Sequence, residues 1–229
     1  MIEAHQINFD QPVPIFPLPN CMLLPHATVP LHVFEPRYRQ MTKDVLDSHG
    51  LIAMATFDGD DWKTQYMGNP TVRDHVCVGY VVKHEELDDG RYNIWLQGVC
   101  RARIVEEIDH EPYRIVELDP TEPIPILEID LSEQREQIEQ MLNDPLLKEV
   151  SAINVIRNCL SIEISTAALV DLALMAVCET TDQRYRMLAE DSVRVRTRQL
   201  VRMLSDTRTS MSIAQRCGQT VDDDGVSLN

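Results

Sequence analysis

Short apolar runs broken by prolines and turn residues fill the first half of the chain. Runs that predict buried strands cover residues 14–18, 29–34, 51–57 and 76–82. Across Tyr92, Ile94 and Leu96 the apolar positions alternate with Asn93, Trp95 and Gln97. That period of two predicts a strand with one buried face. Residues 102–108 and 113–118 supply two further strand candidates.

A hairpin and a helix are predicted between these runs. The sequence Asp88-Asp89-Gly90 separates two of them, and Asp-Gly is a strong hairpin signal because both residues tolerate positive φ. Pro36 suits the first position of a helix, where its missing N–H costs nothing. Apolar residues follow it at helical spacing, and Gly50 is placed to end the helix.

The second half of the chain has a helical pattern. Asp130 with Glu133 forms a candidate N-cap pair, and Ser165 can cap a nearly all-apolar helix over residues 166–178. Thr180 and Gln183 form a capping box for the next helix. A last helix is predicted from about residue 192 to 204.

These patterns divide the chain into four parts. Residues 1–119 predict a β-barrel subdomain of about six strands with one inserted helix, and residues 120–129 a proline-rich linker. Residues 130–206 predict a helical bundle, and the polar residues 207–229 a disordered tail. The expected fold class is α+β.

Composition and charge exclude several classes of protein. The net charge of −16 opposes nucleic-acid binding, which draws affinity from Lys and Arg on phosphates. No apolar run approaches the roughly 20 residues of a membrane span. The start of the chain lacks a signal-peptide pattern, so we expect a cytoplasmic protein without a membrane partner. The six cysteines form no C-x-x-C unit, so reduced thiols are expected and no metal site.

Catalytic motifs are also missing. None of the eight glycines is followed by lysine, as a P-loop requires, and there is no G-x-S-x-G or H-E-x-x-H motif. We therefore expect no cofactor and no enzymatic activity. A Ser–Lys dyad is harder to exclude by motif, and Lys83 at the end of an apolar strand would be its best candidate base.

The motifs resemble a known family. The stretch from Pro14 through Pro17 and then Pro30-Leu31-His32-Val33-Phe34-Glu35-Pro36-Arg37-Tyr38 is similar to the opening of the Lon protease N-terminal domain. The segments 88–92 and 96–104 resemble that family's D-G-R-Y hairpin and G-x-x-R-x-R-I strand. The likeness covers about residues 13–206 and is looser in the last helices.

The resemblance implies a PUA-like β-barrel followed by a helical bundle, and a role in recognising proteins or peptides. We expect a stand-alone, non-catalytic module that binds unfolded or partly folded segments, without the ATPase and peptidase that follow in Lon. A separate protease or ATPase is a candidate partner, and homo-oligomers are compatible with the sequence. Two alternatives stay open: an RNA-binding PUA-like protein, or an enzyme with an unrecognised site.

Several motif residues are candidates for either ligand contact or fold maintenance. The motif residues are Glu35, Arg37, Tyr38, Arg91, Arg101 and Arg103. We expect the last three, on strands, to pair with Glu35 or with acidic neighbours. Trp62, in an acidic loop, is a candidate wall of an apolar client-binding cleft.

One basic stripe stands out in this acidic chain. Arg194, Arg198 and Arg202 recur every four residues, so a helix places them on one face. The stripe is either solvated, paired internally with acids such as Glu133 and Glu139, or a docking surface for an acidic partner or a second copy.

Overall fold

The computed structural model describes residues 7–66, 68–121, 124–160 and 163–223, with side chains up to residue 217. The chain splits into two compact units, one of Met1–Ile124 with Glu179–Asp191, the other of Pro125–Cys178 with Ser192–Asn229. The strands are β1 Val13–Pro17, β2 Thr28–Val33, β3 Leu51–Ala55, β4 His75–Glu86, β5 Tyr92–Ile108 and β6 Ile115–Pro120. The α-helices are α1 Pro36–Leu46, α2 Trp62–Gln65, α3 Ser132–Leu142, α4 Ser151–Cys159, α5 Thr166–Val177, α6 Thr181–Leu188 and α7 Val193–Asp223.

The sheet of the first unit closes on itself. Its described strands run in the order β2-β5-β4-β3-β1-β6, and β6 also pairs with β5. The strands β1, β3, β4, β5 and β6 therefore form a closed ring, and β2 lies outside it on the first half of β5. The ring surrounds an apolar core that includes Ile15, Ala53, Val78 and Ala102. The mixed α+β class and the barrel predicted from the sequence are confirmed.

The long strand β5 is where the predicted strands and the structure differ most. The sequence suggested separate strands at residues 92–97 and 102–108, but β5 is a single strand of 17 residues. Buried and partly buried positions alternate without a break from Tyr92 to Ala102. Gly98 does not mark a turn. A Cβ at Gly98 would lie 2.3 Å from the carbonyl oxygen of Leu24, so glycine lets the neighbouring backbone approach.

The capping signals at the hairpin and the later helices are confirmed. Gly90 turns the hairpin with a φ of 75°. The Ser165 side chain accepts a hydrogen bond from the Ala168 N–H at the start of α5. Thr180 and Gln183 form the capping box of α6. In contrast, the Asp130 cap is wrong, because a 3-10 helix occupies Glu128–Leu131 and α3 follows with Leu131 as its N-cap.

Helix α6 belongs to the barrel unit, although the sequence placed residues 130–206 in one helical bundle. The Arg101 guanidinium donates to the carbonyls of Leu188 (3.1 Å) and Met187 (3.4 Å), at the end of α6. Arg73 donates to Asp182 at 2.6 Å. The two Arg101 bonds satisfy carbonyls at the end of α6, whereas Arg73 reaches the Asp182 carboxylate in its first turn.

The second unit contains α3, α4, α5 and α7, with a second 3-10 helix at Leu147–Glu149. Arg196 of α7 pairs with Asp171 of α5 at 3.0 Å, with both side chains almost fully buried. Helix α7 continues to Asp223, so the tail predicted to be disordered from residue 207 is helical as far as Asp223. No glycine or proline occurs between residues 205 and 217 to stop it. Residues 224–229 lie outside the described residues.

Candidate functional site

The junction between β2 and α1 brings three of the predicted site residues together. Glu35 is extended and Pro36 follows as the first helical residue. The Glu35 carboxylate makes no cap bond to the helix. It accepts hydrogen bonds from the Arg37 Nε (3.1 Å) and from the Tyr66 hydroxyl (2.7 Å). The expected pairing of Glu35 with Arg91, Arg101 or Arg103 is therefore not seen; its partners lie at the start of α1 and just after α2.

Arg37 stands at the centre of this cluster. Its guanidinium lies 4.6 Å from the centre of the Tyr38 ring and 5.1 Å from that of Tyr66. It also donates to the Tyr66 carbonyl at 3.3 Å. The planar Arg37 cation thus contacts the Tyr38 and Tyr66 rings and bonds at its edge to the Glu35 carboxylate. These contacts hold the four side chains in place.

The two tyrosines of the cluster stay neutral. Burial raises the pKa of Tyr38 far above its ordinary value. Burial and the hydrogen bond to Glu35 also raise the pKa of Tyr66. Both phenols therefore keep their protons at physiological pH and do not act as bases, and the Tyr66 hydroxyl donates to Glu35.

Further aromatic rings extend the cluster on both sides. Phe16 of β1 lies 4.5 Å from the Tyr38 ring. Phe57 contacts Tyr66 edge-on at 6.1 Å and stacks on Trp62 at 5.7 Å. Trp62 thus lies in α2 on an aromatic wall, where the sequence suggested an apolar wall in a loop.

An apolar pocket of about 110 Å³ opens beside this wall. We call it the edge pocket, and its lining comprises Phe16, Leu18, Leu31, His32, Val33, Phe34, Glu35, Tyr38 and Tyr66. Phe34, directly after β2, is 60% exposed. A pocket lined mainly by apolar side chains with an exposed phenylalanine beside it can hold an apolar side chain of a ligand.

A wider and more polar cleft of about 550 Å³ is lined by Phe57 and Trp62 of the aromatic wall. It also includes Lys63, Arg73 and Asp182. Arg73 bridges Asp182 at 2.6 Å and lies 4.6 Å from the centre of the Tyr185 ring. The cleft offers charges of both signs, which suits polar contacts flanking an apolar anchor.

The predicted strand arginines do not line the edge pocket, although Arg91 Nη1 lies 3.3 Å from Nε2 of His32, which does. Arg91 pairs with Asp89 at 2.6 Å, and Arg103 reaches Asp119 at 3.7 Å with both side chains exposed. Arg101 holds the end of α6 through carbonyl bonds. Exposed ion pairs such as those of Arg91 and Arg103 contribute about 0–1 kcal/mol each.

The basic stripe of the second unit is solvent-exposed. Arg194, Arg198 and Arg202 are all exposed on α7, and within the described chain none of them forms an ion pair. Glu139, one of their expected partners, pairs with Arg135 at 2.7 Å. The expected pairing of the stripe with acidic residues of the same chain is therefore not seen. The stripe is either only solvated or a docking surface for a partner.

Phe34 and Tyr66 were not among the residues that sequence reasoning selected. Phe34 is the last residue of the apolar run 29–34, which predicts a strand and gives no sign of an exposed side chain. Tyr66 follows Trp62 by four residues, a helical spacing that places the two on one face and could have signalled an aromatic pair.

Within the described residues, no group of three or more His, Cys, Asp or Glu side chains is placed to hold a metal ion. In the same part of the chain, no helix is both long and apolar enough to cross a membrane.

Solved structures share this architecture. The N-terminal domain of Mycobacterium avium complex Lon protease superposes with a TM-score of 0.64 at 17% identity, over 86% of this chain and 99% of that one. The Lon N-terminal domain protein from Xanthomonas campestris gives a TM-score of 0.59 at 20% identity, over 83% and 97% of the two chains. At these identities the likeness establishes the fold.

Sequence relatives and the family model agree with the structures. The Lon protease of Desulfosudis oleivorans is 20% identical over 93% of this chain, and Lon protease 2 of Sorangium cellulosum is 32% identical over 44% of it. The chain spans only 26% and 12% of those two proteins. The model of the ATP-dependent protease La (LON) substrate-binding domain matches residues 12–206. This chain belongs to the Lon substrate-binding domain family.

Proposed function

We propose that this protein is a non-catalytic recognition module that binds exposed, partly apolar segments of client polypeptides at the edge pocket. The observation that carries the proposal is the apolar pocket between β2 and the aromatic wall, with Phe34 60% exposed beside it. Large exposed aromatic side chains next to a pocket are typical of protein-binding sites. Membership of a family described as substrate-binding supports the same conclusion.

The geometry of the cluster favours binding over chemistry. The two tyrosines hold their protons, because burial raises the pKa of both. Glu35 already accepts two hydrogen bonds, from Arg37 and Tyr66. These groups therefore support the pocket wall, and a general base with a free substrate-facing atom is not evident among them.

A titration with an unfolded protein tests the proposal. Fluorescently labelled casein, which lacks a stable fold, is titrated with the protein and followed by anisotropy, with a compact folded protein of similar size as the control. We expect saturable binding of casein in the micromolar range or tighter, and none of the folded control. No binding of casein at high micromolar concentration, at low and at moderate salt, would contradict the proposal.

The exposed stripe Arg194, Arg198 and Arg202 favours a second interaction, with an acidic protein such as a separate protease or ATPase, or with a second copy of this acidic chain. Three unpaired guanidinium groups on one helix face match carboxylates, which arginine binds in a planar fork. The net charge of −16 opposes RNA at the same surface. Binding of single-stranded RNA at moderate salt would overturn this preference.

A further inference from the structure

The free edge of β2 presents backbone groups that no described strand pairs. β2 ends the sheet order, with β5 as its partner. Pro30 lies opposite Trp95 and has no N–H, so that pair cannot be a hydrogen-bonded one. Hydrogen-bonded and non-hydrogen-bonded pairs alternate along an antiparallel pair of strands. The backbone N–H and C=O groups of Val29, Leu31 and Val33 therefore point toward β5. Thr28, Pro30 and His32 turn theirs away, toward the free edge.

The edge pocket lies at the same end of β2 as His32. Leu31, Val33 and Phe34 line it, and all three are next to His32 or within two residues of it. Successive side chains of a strand point to opposite faces. In a chain laid along the free edge, every second side chain would therefore face the side of the sheet on which Leu31 and Val33 lie.

The size of the pocket fits one aliphatic side chain. Its volume is about 110 Å³. A water molecule takes up roughly 30 Å³ of the liquid, so the pocket has room for a group several times larger than a water molecule. An apolar group fills such a pocket better than ordered water, because its lining offers few polar partners.

We propose that the client segment binds as an extended strand added to the free edge of β2, with one aliphatic side chain in the edge pocket. The inference rests on the proposed function and gives it a substrate class: short extended segments, recognised by backbone hydrogen bonds to His32 and by a single leucine-like anchor. Backbone pairing supplies affinity without a strict sequence requirement. Pro30 removes one edge donor, which limits the pairing to the end of β2 beside the pocket and hinders open-ended aggregation of this edge.

Two variants at one position separate the backbone from the side chain. Both variants remove the imidazole, which bonds to Asn93 and lies 3.3 Å from Arg91, but only His32→Pro also removes the edge N–H. Pro30 shows that β2 accepts proline at an outward position. The probe is the blocked peptide Ser-Thr-Ser-Leu-Ser-Thr-Ser. We expect His32→Pro to bind it about fivefold to tenfold more weakly than His32→Ala, because only the alanine variant keeps the edge N–H.

N-methylated forms of the same peptide test the inference on the wild-type protein, so the result does not depend on the folding of a variant. The N–H groups of alternate residues face the same edge of an added strand. Methylation of one alternating set should abolish binding, and methylation of the other set should change it less than threefold. Equal effects of the two sets, or equal binding by His32→Pro and His32→Ala, would overturn strand addition. If casein still binds in that case, the proposed function survives; if casein does not bind at all, the proposed function fails as well.

Discussion

The hydroxyl of Tyr66 donates a 2.7 Å hydrogen bond to the carboxylate of Glu35, which lies 31 positions earlier in the chain. This bond joins the residue after α2 to the start of α1 and thereby fixes one wall of the edge pocket. Tyr66 and Glu35 both line that pocket. The bond therefore links the stability of the barrel unit to the shape of the candidate site.

We expect Tyr66→Phe to lower the free energy of unfolding by about 1 kcal/mol, because it removes a hydrogen bond to a charged group that is only partly screened by solvent. Urea unfolding measures the loss. Tyr80→Phe is the control, since the Tyr80 hydroxyl makes no hydrogen bond among the described residues and its ring packs beside Gly50. Equal stability of the two variants would show that the Tyr66–Glu35 bond contributes nothing.

Much of the fold follows from local signals in the sequence. The apolar alternation from Tyr92, the Asp89-Gly90 turn, the Ser165 cap and the Thr180 capping box each depend on neighbours within a few residues, so they could be predicted. The barrel family was recognisable from the stretch between Pro14 and Tyr38 for the same reason: its motif is contiguous.

The remaining features depend on contacts between distant residues. Nothing near Leu188 indicates that Arg101 binds its carbonyl 87 positions away. The Tyr66 contact to Glu35 is equally non-local. Glycine is needed at position 98 because the Leu24 backbone lies close to it. The pattern of apolar and polar residues in the sequence does not indicate this contact. The candidate site was therefore only partly predictable: the sequence points to Glu35, Arg37, Tyr38 and Trp62 but not to Phe34 and Tyr66.

Gly98→Ala should destabilise the barrel strongly. The new Cβ would lie 2.3 Å from the Leu24 carbonyl oxygen and 3.0 Å from the Cys77 sulfur, and the backbone cannot give way cheaply. We expect a loss of more than about 3 kcal/mol in urea unfolding. Gly59→Ala is the matched control, because its φ is 68° but nothing lies within 4 Å of the added Cβ. It should cost only about 1–2 kcal/mol, and a similar loss at both positions would refute the close approach.

The buried pair of Arg196 and Asp171 should show a strong asymmetry between single and double replacement. Arg196→Met leaves the Asp171 charge buried without its 3.0 Å partner, and we expect a loss of about 3–5 kcal/mol. The double variant Arg196→Met with Asp171→Leu should recover most of it, because no charge is left buried. Arg194→Gln, on the exposed face of α7, is the control and should stay within about 0.5 kcal/mol. A double variant no more stable than the single one would argue against this account.

Replacing the exposed stripe should change association and leave stability alone. We expect the triple variant Arg194→Gln, Arg198→Gln, Arg202→Gln to unfold at the same urea concentration as the wild type. It should also lose the retention on immobilised polyglutamate that the wild type shows. The matched control, Arg91→Gln with Arg103→Gln, removes exposed arginines of the barrel unit and should keep that retention. Unchanged retention in the triple variant would mean that the stripe is only solvated, and docking at this face would be excluded.

The most direct test of client recognition at the edge pocket compares two exposed apolar side chains of similar accessibility. Phe34, 60% exposed, lies at the edge pocket, and Val155, 64% exposed, lies on α4 of the other unit. Unfolded casein is titrated into Phe34→Ala, Val155→Ala and wild-type protein by calorimetry. We expect Phe34→Ala to weaken binding about tenfold, as truncation of an aromatic anchor does, and Val155→Ala to leave it unchanged. Equal affinity of Phe34→Ala and the wild type, or an equal loss in both variants, would contradict recognition at the edge pocket.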